Sequence, residues 1–323
     1  STAAGMTNYV WTVSAGGTIT AGGGTSNNTV TVTWNTAGAR SVSVGFTDTN
    51  GCTSASPTVY PVTVNALPTP VVAGPASVCA GSTGNVYSTA AGMTNYVWTV
   101  SAGGTITAGG GTSNNTVTVT WNTAGARSVS VNFTDGNGCT AASPTVYPVT
   151  VNALPVPTLT GPSPVCAGTT GHVYTTEAGQ TGYVWNVSAG GTITAGGTGT
   201  DNTVTVTWNT AGAQTVSVNY TDANACTAAS PTVFNVTVDP LPVPVVAGPT
   251  PACVGSTGNV YSTAAGMTNY VWTVSAGGTI TTGGTATDNT VTVTWNTAGA
   301  QSVSVGFTDG SGCTAAAPTV YPV

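Results

Sequence analysis

Charge is what this chain has least of. Its 323 residues include no lysine, two arginines (Arg40 and Arg127), eight acidic residues and one histidine, His172. Charged residues make up 3% of the chain, against an ordinary share of about 25%. Each absence excludes a class of function. Nucleic-acid binding runs on clustered Lys and Arg, which are missing. Lys–Asn isopeptide crosslinks need an amine that is not there. One histidine and no C-x-x-C leave no zinc set. No paired carboxylates stand ready for glycoside hydrolysis, and no Ser/His/Asp set recurs. The Gly-rich run at 108–112 lacks the lysine of a phosphate loop and reads as a hairpin turn. No apolar run is long enough to span a membrane, and no stretch has helical periodicity. The expectation is a non-enzyme with no cofactor and no metal. Disorder is excluded too, because 40% of residues are hydrophobic and low hydrophobicity with high charge is its signature.

What the chain does have is a period. Trp11, Trp98, Trp185 and Trp272 fall 87 residues apart, as do Trp34, Trp121, Trp208 and Trp295. Cys52, Cys139, Cys226 and Cys313 keep the same spacing, and so do Cys79, Cys166 and Cys253. A fixed period without insertion means one folded unit copied in tandem. Residues 1–65 and 88–152 differ only where Gly45 becomes Asn132, Thr49 becomes Gly136 and Ser54 becomes Ala141. The unit is too long for a solenoid repeat and suits a small self-contained domain. The reading is a partial repeat at 1–65, full repeats at 66–152 and 153–239, and a nearly complete one at 240–323. Beginning and ending inside units is what a window in a longer array would show. Pro-rich junctions such as Ala66–Pro70, Ala153–Pro157 and Asp239–Pro244 read as semi-rigid spacers.

Within 153–239, period-two alternation marks the strands. Tyr183, Trp185 and Val187 share one face. Val204, Val206 and Trp208 share another, opposite three threonines. Val216, Val218 and Tyr220 repeat the pattern, and Phe234, Val236 and Val238 close the unit. Thr158-Leu159-Thr160 reads as a short first strand, followed by a turn-rich connection through Val165-Cys166-Ala167-Gly168. Gly-containing turns at Ala189–Gly191, Ala195–Gly197 and Ala211-Gly212 separate the later strands. About seven short strands with a tryptophan in the first half predict an all-β fold of tandem immunoglobulin-like sandwiches. Parity places all eight tryptophans, Trp11, Trp34, Trp98, Trp121, Trp185, Trp208, Trp272 and Trp295, in the cores rather than on sugar-stacking surfaces.

Gly-Pro, then Val-Cys-Ala-Gly, Val-Tyr, Tyr-Val-Trp, Val-Ser-Val-Asn and Asp-Gly-Asn-Gly-Cys recur in this order. The pattern resembles the PKD-like repeats of large secreted surface proteins of Bacteroidota, including adhesins and fibres. The resemblance covers every unit. It departs from PKD domains proper after the tryptophan: Trp98 is followed by Thr99-Val100-Ser101-Ala102-Gly103, without the carboxylates of Asp-Phe-Gly-Asp-Gly.

Four smaller features have plain readings. Asp48, Asp135, Asp222 and Asp309 offer one carboxylate per turn, too few for calcium, and read as turn formers. Thr116, Thr118 and Thr120 make a hydroxylated outer face that suits solvent. His172 stands where Asn85 and Asn259 stand elsewhere and reads as surface variation. Asn-x-Ser/Thr triplets at Asn27, Asn114, Asn132, Asn186, Asn219 and Asn235 are expected by chance in a chain rich in Asn and Thr.

Two cysteines per repeat at fixed spacing predict disulfides and an extracellular or cell-surface location. Two pairings compete. Pairing within a unit gives Cys79–Cys139, Cys166–Cys226 and Cys253–Cys313, with Cys52 left over. Pairing between successive units gives Cys79–Cys226 and Cys166–Cys313. In a sandwich the two cysteines of one unit fall at opposite poles, too far apart for a bond that needs Cα atoms within about 7 Å. Neighbour pairing satisfies geometry better. The expected function is structural, a long extracellular fibre or stalk braced by disulfides and self-associating along its sides. The alternative is an adhesin whose repeats bind glycans or partner cells.

Overall fold

The computed structural model describes residues 1–323, and every named element is a β-strand. The chain divides into two compact units, Ser1–Ala153 and Leu154–Val323, each holding two repeats.

The second repeat shows the architecture. One sheet has the order Ser77–Cys79, Thr145–Asn152, Gly125–Thr134, Thr94–Val100. The other has the order Asn85–Ser88, Thr116–Trp121, Gly104–Gly109. Seven strands in two packed sheets make the immunoglobulin-like sandwich that alternation predicts. The alternation works as expected. Val117, Val119 and Trp121 are fully buried, while the threonines between them face outward. Val129, Val131 and Phe133 are buried likewise from the long strand of the other sheet.

The first strand is not where alternation puts it. In the third repeat Thr158-Leu159-Thr160 contributes only an isolated bridge, Thr160 to Thr175. The strand is Val165–Cys166, which runs parallel to the end of Thr232–Asp239 and pairs Cys166 with Asp239. Two residues are too few to show alternation, so the pattern cannot reveal them. The pairing carries Cys166 to the end of the repeat.

The Tyr-Val-Trp strand begins on a bulge. Asn8, Asn95 and Asn269 have φ between 51° and 53°, and Gly182 takes the position in the third repeat with φ 59°. Asparagine and glycine are the residues that tolerate this left-handed region. One glycine is required by contact. A Cβ on Gly161 would lie 2.1 Å from the ring of Tyr174, a tyrosine with no exposed surface.

The tryptophans divide into two groups. Trp121, Trp208 and Trp295 lie at the centre of their cores, each giving its indole N–H to the hydroxyl of Tyr87, Tyr174 or Tyr261 at 2.9–3.0 Å. Trp98 and Trp272 are buried at the edge of their cores, and Trp11, Trp34 and Trp185 are half-buried. Trp98, Trp185 and Trp272 bond the backbone carbonyls of Asn114, Asp201 and Asp288.

Each Pro-rich junction is tied to the repeat that follows it. The hydroxyls of Thr145, Thr232 and Thr319 donate to the carbonyls of Pro70, Pro157 and Pro244 at 2.6–2.7 Å.

Candidate functional site

In the second compact unit, Cys166 of the third repeat is bonded to Cys313 of the fourth. The S–S distance is 2.03 Å, the Cα atoms are 5.5 Å apart and the bond spans 147 residues of sequence. This overturns two of the within-unit pairs, Cys166–Cys226 and Cys253–Cys313. Cys79–Cys139 falls as well, because Cys139 is a thiol. The physical reason is the polarity of the sandwich. The 166-type cysteine ends the first strand at the far pole of its repeat. The 313-type cysteine sits in the turn after the long sixth strand, at the near pole. Cys79 and Cys226 are also disulfide-bonded, whereas Cys52 and Cys253 are exposed thiols.

Both halves of the clasp are held by local structure. On one side Ala167 N–H donates to the Asp239 carbonyl at 2.9 Å and Gly168 N–H to the Trp208 carbonyl at 2.6 Å. The Thr169 hydroxyl closes the turn on the Cys166 carbonyl at 2.5 Å, as Ser256 does on Cys253 at 2.6 Å. On the other side, Asp309 Oδ1 accepts the N–H groups of Ser311 and Cys313 at 3.0 and 2.9 Å. The same turn recurs at Asp48, Asp135 and Asp222, each bonding the cysteine four residues on. The Cys139 backbone N–H holds the Asp135 carboxyl below the ordinary carboxylate range. These aspartates are therefore turn formers with a defined job, fixing the backbone of a cysteine. An Asp four residues before every Cys of this type was the sequence signal for that job. The structure gathers no group of three or more His, Cys, Asp or Glu that could hold a metal ion.

His172 is more than surface variation. It is half-buried, its Nε2 lies 2.7 Å from the Thr169 hydroxyl, and burial lowers its pKa. Asn85 and Asn259 make the equivalent contacts to Ser82 and Ser256. The pair changed together, Ser with Asn and Thr with His, in the loop behind the 166-type cysteine.

Glu177 gave no signal in the sequence because only one repeat has it. It accepts from the Thr158 N–H and hydroxyl and from the Thr176 hydroxyl. Burial alone would push its pKa up, but these hydrogen bonds hold it down at about 2. In the second and fourth repeats the matching hydroxyls, Thr89 and Thr263, are buried without a partner.

The two cations serve their own turns. Arg127 donates to the carbonyls of Thr123 and Ala124, and Arg40 to those of Thr36, Ala37 and Ala15. Gln214 fills the same place by accepting from Ser188 at 2.6 Å. Two of the Asn-x-Ser/Thr sites are occupied by the fold: the half-buried amides of Asn132 and Asn219 bond the carbonyls of Ala141 and Ala228.

The model of the PKD-like domain matches the sequence four times, over residues 1–62, 65–149, 152–236 and 239–322. The chain belongs to the PKD-like domain family. Among curated proteins none matches it. Solved structures similar to this PKD-like chain include invasin, described as a bacterial integrin-binding protein, at 16% identity and a TM-score of 0.33, covering 99% of this chain and 72% of that one. FdeC, an Escherichia coli adhesin, matches at 16% identity and 0.28, covering 77% and 94%. Domains 4–9 of the surface layer protein SbsC match at 14% and 0.22, covering 100% and 58%. Scores this low say nothing about function. In these PKD-like repeats a covalent bond joins the third repeat to the fourth.

Proposed function

We propose that this chain is a structural element of a long extracellular fibre or stalk, built from PKD-like sandwiches and braced by disulfides between successive repeats. The observation that supports it is Cys166–Cys313. A bond that skips from one repeat to its successor does little for the fold of either alone. It restrains the joint between them. The chain-entropy model gives a 147-residue closed loop about 5 kcal/mol of stabilisation. Disulfides also argue for an oxidising compartment, outside the cytosol. A cell-surface location and the Bacteroidota origin implied by the resemblance belong to the same proposal.

The proposed role is non-catalytic. The adhesin reading has less to support it. In the second, third and fourth repeats no tyrosine or tryptophan stands as an exposed stacking platform.

Lateral self-association is part of the proposal. Strands Gly17–Gly22, Gly104–Gly109, Gly191–Gly196 and Gly278–Gly283 are edge strands, each paired on one side only. They carry no charge and no proline, the usual guards of an edge. Small-angle scattering across a concentration series tests this. The proposal expects association that grows with concentration. A monodisperse monomer at high concentration would contradict it.

A further inference from the structure

Each half of the clasp also occurs in this chain without a bond. Cys139 is a thiol, yet its turn matches that of Cys313. Asp135 and Asp309 each accept the cysteine N–H at 2.9 Å and give their own N–H to the cysteine carbonyl at 2.9 Å. Cys52, another thiol, keeps the same two bonds at 2.8 and 2.9 Å. The other half behaves alike. Beside the Cys253 thiol, Gly255 N–H donates to the Trp295 carbonyl at 2.7 Å and the Ser256 hydroxyl to the Cys253 carbonyl at 2.6 Å. Beside Cys166 the same bonds measure 2.6 and 2.5 Å. Neither half takes its shape from the disulfide.

The cores do not need it either. The core of the third repeat is drawn from residues between Leu159 and Val238, and that of the fourth from residues between Val246 and Val323. Neither includes a cysteine. Loop statistics point the same way. Cys226 and Cys253 lie between the partners, 27 residues apart, whereas the clasp spans 147. In an unfolded chain the shorter loop closes roughly tenfold more often, because closure entropy grows as the logarithm of loop length. Oxidation of the unfolded chain would favour short loops over the clasp.

We infer that the third and fourth repeats fold with Cys166 and Cys313 reduced, and that the clasp is made last, on the folded joint, by exchange with a small-molecule disulfide. The thiolate of one cysteine attacks the external disulfide and expels one thiol. The thiolate of the other attacks the resulting mixed disulfide and expels the second thiol. Two protein thiols are oxidised, and one external disulfide is reduced to two thiols. The fold chooses the partner, so the oxidant needs no selectivity and no wrong bond has to be undone. The step belongs to an oxidising compartment and follows folding there. The inference holds whether or not the array serves as a fibre.

The whole chain is reduced in urea, refolded with the reductant present, freed of reductant and then given oxidised glutathione. The expected result is a cooperative urea transition for the reduced chain, read by tryptophan emission. Peptide mapping after oxidation should find Cys313 joined to Cys166 at least tenfold more often than to Cys253. The same oxidant added in urea should give more Cys226–Cys253 than clasp, by roughly tenfold. Three results would each overturn the inference: a reduced chain with no cooperative transition, Cys253–Cys313 as the main product from the folded chain, or a clasp equally abundant from the folded chain and from urea.

Discussion

Trp208 donates its indole N–H to the Tyr174 hydroxyl at 2.9 Å, and that hydroxyl donates onward to the Pro162 carbonyl at 3.1 Å. The two bonds tie neighbouring strands of one sheet to the segment before Val165–Cys166, through a core with no water-accessible surface at either ring. Tyr174→Phe keeps the ring and removes the acceptor. A buried N–H left unpaired costs about 1–3 kcal/mol. Urea unfolding followed by tryptophan emission should show a transition of matching amplitude moved to lower denaturant. An unchanged profile would mean that the bond carries no net stability.

Ala225 has φ 61°, where its counterparts Gly51, Gly138 and Gly312 have φ 80–84°. A residue with a Cβ is strained there by about 1–2 kcal/mol. The larger backbone entropy of glycine in the unfolded chain returns part of that. Ala225→Gly is expected to stabilise the third repeat by about 1 kcal/mol, read as a raised denaturation midpoint. Loss of stability would contradict the strain.

Glu177 sets a pH dependence peculiar to the third repeat. Its folded pKa, about 2, lies below the ordinary value of 4.5. The unfolded chain therefore binds the proton more readily, and the contribution is full above pH 4.5. It is lost as the pH falls from 4.5 through 2. Melting the chain and the Glu177→Ala variant across this range checks the sign. The difference between them should shrink towards pH 2. A difference that grows on acidification would contradict the assignment.

Much of this fold was legible in the sequence, for a physical reason. Six-residue strands such as Thr203–Trp208 write their burial into alternating residues, and an 87-residue period writes it four times. What stayed hidden was carried by short or single features. Val165–Cys166 is too brief to alternate. Asn95 gives no pattern because a left-handed residue is one position. Glu177 and His172 occur once, so the period that exposes the other side chains hides these two. The clasp was half legible: chain polarity argued for bonds between repeats and the Asp four residues before each Cys marked a turn, but that its carboxylate holds the Cys N–H needed the geometry.

Peptide mapping without reduction tests the pairing. Cys313 should be recovered joined to Cys166, with Cys52, Cys139 and Cys253 alkylated as thiols. The rule in this unit is a bond from the third repeat to the fourth, and Ala225 makes the Cys226 peptide distinguishable. Cys226 recovered with Cys166 would contradict the rule.

The central claim is that these bonds brace the joint between repeats. Electron micrographs of the chain can be classified by the angle between the third and fourth repeats, before and after mild reduction, with the double variant Cys166→Ser, Cys313→Ser as the control. The account predicts a narrow distribution for the oxidised chain, and a broad one shared by the reduced chain and the variant. The same distribution in all three would contradict it.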